Sequence, residues 1–178
     1  MKGSLLRLIE YSILPAVVVI LSKLGGIYLA AALFGIATDT FSSNNGILFF
    51  QTVVKSSDLI ILSSYSDLFM FLGVAAGMSV ILVQALYLHD SHIQPEVLNK
   101  LAKWDMLNLI RGSFELYHSG VMWLVFLWLA GVLVLINFIK GITDIWTLTV
   151  VSIFVLAYSV IFFKDLFAEI QLAKNGNN

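Results

Sequence analysis

Residues 11–36 read YSILPAVVVILSKLGGIYLAAALFGI, an almost wholly apolar run interrupted by one charge, Lys23. At ~1.5 Å rise per residue the run is ~39 Å long as a helix, more than the ~30 Å hydrocarbon core of a bilayer, and it places Lys23 ~18 Å from one end. The stretch therefore predicts a membrane-spanning helix that carries an ammonium group.

The rest of the chain agrees with that solvent. Of its 178 residues 60% are hydrophobic and 12% charged, and mean hydropathy is +0.95, against roughly 45–50% apolar and about 25% charged in a soluble domain. Segments between the apolar runs are too short to build a separate core, so one polytopic domain over 1–178 is expected. A net charge of −1 gives no basic field for nucleic acid. The absence of cysteine excludes disulfides, thiolate catalysis and Cys-ligated metals. Lys2 and Arg7 before an apolar run, with small residues at Ala30 and Ala32, imitate a secretory signal. The length of the run and Lys23 within it favour retention as an anchor.

Working outward, three further spans follow. Residues 68–88 are apolar without a formal charge, and 59–67 (LIILSSYSD) either extend that helix outward, giving a second span over about 59–88, or form a separate interfacial turn. Residues 120–139 and 145–163 are the third and fourth, joined by a tight turn holding Lys140, Gly141 and Asp144, and so form an antiparallel hairpin. Between spans one and two lies a long connector whose apolar part, 47–54, is expected at the interface, with a re-entrant segment as the sharper alternative. Between spans two and three, Pro95 and Glu96 open a helix. From there Val97, Leu101, Trp104, Leu107, Phe114 and Tyr117 recur at helical spacing, predicting an amphipathic cytosolic helix over about 95–117.

Basic residues set the orientation. With four spans, Lys2, Arg7, Lys100, Lys103, Arg111, Lys164 and Lys174 share one side, and only Lys55 and Lys140 lie on the other. The positive-inside rule then puts both termini in the cytoplasm of a multi-pass cell-membrane protein.

Lys23 is the leading candidate site, because a central intramembrane lysine costs ~2.5–3.5 kcal/mol and must face protein or water. It borders a track of small residues, Ser22, Gly26 and Ala30, suited to close helix contact. Taking Tyr11 and Leu88 as level at the inner surface puts Lys23 near Ala76 and Gly77, with Gly131 and Ser152 at the same depth. Asp67 then falls roughly 14 Å higher, too far for a lysine side chain to bridge unless the second helix is strongly tilted or broken, so a Lys23–Asp67 pair is the weaker reading. On this arithmetic Lys23 has no carboxylate of its own chain. Three environments follow: a partner subunit's carboxylate, an anionic ligand or lipid headgroup, or a hydrated site among Ser22 and Ser152. Gly73 and Gly77 form a GxxxG suited to packing within the chain or between chains, and Thr149, Ser152 and Ser159 make a thin hydroxyl stripe for helix–helix bonding.

No catalytic signature and no cofactor motif is present. His89, His92 and His118 lack the spacing of a metal site, so none is expected. The function expected is that of a non-enzymatic membrane subunit or scaffold, embedded in the bilayer and packing with another membrane protein or with itself. The competing expectation is a small oligomeric transporter or channel component in which Lys23 attracts an anionic solute.

Overall fold

The computed structural model describes residues 2–36, 56–87, 95–104 and 112–175. The described residues form five helices: α1 Lys2–Phe34, α2 Ser56–Tyr87, α3 Pro95–Lys103, α4 Ser113–Ile139 and α5 Ile145–Asn175. Four of them, all except α3, are long and apolar enough to cross a membrane. The described residues form an all-helical bundle built from such elements. A helix satisfies its own backbone polar groups, the condition an apolar run must meet to leave water.

α2 and α4 form the central pair of the bundle. α1 packs chiefly on α2 and also reaches α4, while α5 packs on α4 and α2. The core runs along this seam through Met70, Phe71, Val74, Met78, Leu127, Val134 and Phe162, all essentially buried. A second, smaller cluster of Ala30, Ala31 and Leu62 seats the far end of α1 on α2.

Small residues fix how closely the helices approach. A Cβ on Gly73 would strike the Ser22 side chain, 2.8 Å from its Cβ, and one on Gly77 would enter the Trp123 ring, 2.6 Å from Cε3. One on Gly26 would lie 2.8 Å from Phe69 Cβ and 2.9 Å from Ser66 Cα. The GxxxG of α2 is thus spent inside the chain, Gly73 against α1 and Gly77 against α4. Gly131 faces α5 more loosely, with Val155 Cγ2 3.3 Å from the position of its Cβ.

Two helix ends are set by glycine. Gly35 and Gly141 have φ of 63° and 69°, the left-handed conformation glycine adopts without a Cβ penalty. At each, the next residue's N–H reaches back five positions, Ile36 to the Ala31 carbonyl at 3.0 Å and Ile142 to the Asn137 carbonyl at 2.9 Å. This is the Schellman closure, and at Gly141 it produces the expected tight turn between α4 and α5.

Some expected boundaries shift. The first helix begins at Lys2 and ends at Phe34 rather than covering 11–36, and the last continues past 163 to Asn175. The amphipathic helix expected over 95–117 is not one element. α3 ends at Lys103, and the extended backbone of Gly112 (φ −68°, ψ 149°) starts α4, so Phe114 and Tyr117 belong to α4. On α3, Leu101 is buried while Leu98 and Lys103 are exposed, as is Trp104 just after it. The segment 47–54 and residues His89 and His92 lie outside the described residues.

Candidate functional site

Asp67 is the centre of a polar layer enclosed by the bundle. It lies on the buried face of α2 with no exposed side-chain surface. Lys23 Nζ from α1 donates to Asp67 Oδ1 at 2.5 Å. Asn137 Nδ2, from the last turns of α4, donates to Oδ2 at 2.8 Å and to Oδ1 at 3.1 Å. Thr143 Oγ1, from the α4–α5 turn, donates to Oδ2 at 2.7 Å. One carboxylate therefore ties three helices and a turn together.

Hydroxyls surround this core. Ser66 Oγ donates to the Lys23 carbonyl at 2.9 Å, fastening α1 to α2 beside the ion pair. Ser64 Oγ accepts the Asp144 backbone N–H at 2.8 Å, anchoring the start of α5 on α2. Ser63 Oγ lies 3.5 Å from Thr143 Oγ1. Thr147, fully buried in the first turn of α5, has a hydroxyl oxygen with no hydrogen-bond partner.

The Lys23–Asp67 pair overturns the depth arithmetic that left Lys23 without a carboxylate. That arithmetic aligned Tyr11 with Leu88 and put Lys23 opposite Ala76 and Gly77. The packing of Ser22 on Gly73 and of Gly26 on Ser66 and Phe69 moves the register by roughly four to seven residues, ~6–10 Å at the helical rise, and the lysine stem spans what is left. α1 continues back to Lys2 beyond its apolar run, so Tyr11 does not mark the end of the helix from which that arithmetic counted.

The other expected site residues separate into two groups. Ser22, Gly26 and Ala30 lie along the α1–α2 contact beside Lys23. Ser152 is exposed on α5, and no hydrogen bond described at Lys23 involves it. Gly77 and Gly131 pack in the bundle against Trp123 and Val155, below the polar layer. Within the hydroxyl stripe, Thr149 Oγ1 donates to the Ile145 carbonyl at 2.9 Å, and Ser159 receives Trp128 Nε1 at 3.0 Å, a bond between α4 and α5.

Sequence reasoning did not single out Asn137, Thr143, Ser63 or Ser64. Asn137 carried the one available signal, an amide close to the end of an otherwise apolar span. A second polar contact lies at the opposite end of the bundle, where Tyr117 donates to Asp165 Oδ2 at 2.8 Å. Among the described residues no group of three or more His, Cys, Asp or Glu side chains is placed to hold a metal ion.

Comparison with protein-family models, curated proteins and solved structures gives no match.

Proposed function

We propose that this protein is a non-enzymatic integral membrane subunit or scaffold, with four spans, cytoplasmic termini and α3 lying at the cytoplasmic surface. The observation that carries this reading is the self-contained charge layer. Lys23, Asp67, Asn137 and Thr143 satisfy one another, so in this conformation the layer holds the helices in position. Outward, α1 presents Leu21, Tyr28, Leu29 and Leu33, and α5 presents Ile153, Leu156, Val160 and Phe163. Such surface suits lipid tails or the helices of another membrane protein.

An anion-attracting role for Lys23 is less well supported. The ion pair is neutral as a unit, which removes most of the field that would draw an anionic solute toward the lysine. The test is affinity purification from native membranes under mild detergent. A stoichiometric membrane-protein partner, or a defined homo-oligomer, is the expected result. Recovery of a lone monomer that drives anion flux in proteoliposomes, with flux lost in Lys23→Leu, overturns the proposal.

A further inference from the structure

We propose that the cradle around Asp67 is a binding site for a monovalent alkali cation, and that Lys23 is a tethered cation occupying it in this conformation. The two members of the pair differ in freedom. Asp67 has no exposed side-chain surface, whereas 32% of the Lys23 side chain is exposed. Lysine is a compact charge on a flexible four-carbon stem, so Lys23 is the member that withdraws without opening the core. Its departure would leave a buried carboxylate without a counter-charge, a state costly enough that a replacement positive charge is required. Exchange of an ammonium for an alkali ion keeps the layer neutral in both states.

The surrounding groups suit a hard cation, which takes oxygen ligands. Thr143 Oγ1 is 2.7 Å from Asp67 Oδ2, and Ser63 Oγ is 3.5 Å from Thr143 Oγ1. Asn137 now turns its Nδ2 toward both carboxylate oxygens. A half-turn of that amide presents Oδ1 to a cation instead. The single carboxylate matches one positive charge, and no group of three or more His, Cys, Asp or Glu among the described residues offers the charge a divalent ion would need. Intramembrane ionisable groups that pair with one another often mark ion sites.

The test uses the purified full-length protein in detergent, titrated with LiCl, NaCl or KCl while N-methyl-D-glucamine chloride holds ionic strength constant. Two quantities are read: acylation of the Lys23 amine by mass spectrometry, and the thermal unfolding midpoint. Wild type should show a saturable rise in Lys23 acylation that depends on which alkali ion is present. Lys23→Met, which lacks the tethered competitor, should be stabilised at lower alkali concentration than wild type. Thr143→Val should need more of the ion for the same effect. Equal acylation and equal midpoints in alkali and N-methyl-D-glucamine salts overturn the proposal. So does a Lys23→Met protein stabilised by acid alone, because a proton then fills the site. If Lys23→Met does not fold, the wild-type acylation curve still decides.

Discussion

Lys23 and Asp67 are 44 positions apart in the chain, yet each lies the same distance from the end of its helix at the α1–α2 connection. Lys23 is eleven residues before Phe34, and Asp67 is eleven residues after Ser56. The antiparallel contacts of Ser22 on Gly73 and of Gly26 on Ser66 and Phe69 bring the two positions within reach of the lysine stem. The pair then receives Asn137 from the last turns of α4 and Thr143 from the α4–α5 turn, so it also sets the height at which the second hairpin docks.

The first prediction concerns that pair. Removing one partner of a buried ion pair leaves an uncompensated charge and typically costs about 3–5 kcal/mol, whereas replacing both by neutral groups is often tolerated. Lys23→Met or Asp67→Asn alone should lower unfolding stability. The double variant should recover much of the loss, giving a coupling energy of about 1–3 kcal/mol. The cost should sit toward the lower limit because Lys23 is about one-third exposed. Reversible unfolding in detergent micelles measures all four corners of the cycle. Strictly additive losses would mean that the two charges do not depend on each other.

The spans were legible because hydrophobicity over twenty residues is a local signal. The α4–α5 hairpin was legible because Gly141 marks its turn. The partner of Lys23 was not, because pairing across helices depends on register, and register is set by a few contacts such as Ser22 on Gly73. Counting from the inner ends failed since the charged start of α1 continues the helix beyond its apolar part. Counting from the outer ends brings Asp67 within a lysine stem's length of Lys23, but the outer end of α2 is ambiguous in the sequence, where LIILSSYSD reads as helix or as a separate turn. The break in the helix expected over 95–117 was hidden for another reason. Its apolar spacing continues across Gly112, whose extended backbone interrupts the helix.

Neighbouring glycines in α1 should respond in opposite ways. Gly25 has open space where a Cβ would go, whereas Gly26 meets Phe69 Cβ at 2.8 Å and Ser66 Cα at 2.9 Å. Gly25→Ala should be neutral or stabilising by up to about 1 kcal/mol, from helix propensity alone. Gly26→Ala must push α1 away from the α2 backbone, an overpacking cost of about 1–3 kcal/mol. It should also raise the chemical reactivity of the Lys23 amine, because α1 carries the lysine away from Asp67. Thermal unfolding of the two variants beside wild type checks this. Equal behaviour would mean that α1 is not held against α2 through Gly26.

Thr143 offers a finer probe of the same layer, since its hydroxyl donates to a carboxylate and is buried. Thr143→Val keeps the shape and deletes the donor. Hydrogen bonds between membrane helices average about 0.6 kcal/mol and reach about 1.7. A charged acceptor belongs at the upper end of that range, so a loss of about 1–2 kcal/mol is expected, with Thr143→Ser retaining most of the stability. If Thr143→Ser and Thr143→Val lose equally, the methyl group rather than the hydroxyl matters there.

Orientation in the membrane is tested without disturbing the core. The chain has no cysteine, so single cysteines report one position each. Lys140, in the exposed turn between α4 and α5, and Lys103, exposed at the end of α3, should lie on opposite faces. The reason is that α4 runs between them, with one candidate span from Glu115 to Ile139. In the proposed topology the Lys103 side, with its excess of Lys and Arg, faces the cytoplasm. Lys140→Cys in intact cells should react with a membrane-impermeant maleimide. Lys103→Cys and Lys174→Cys should react only after the membrane is opened. Reaction of Lys103→Cys and Lys140→Cys from the same face would mean that α4 does not cross. The charge bias would then have to be explained by a different set of spans.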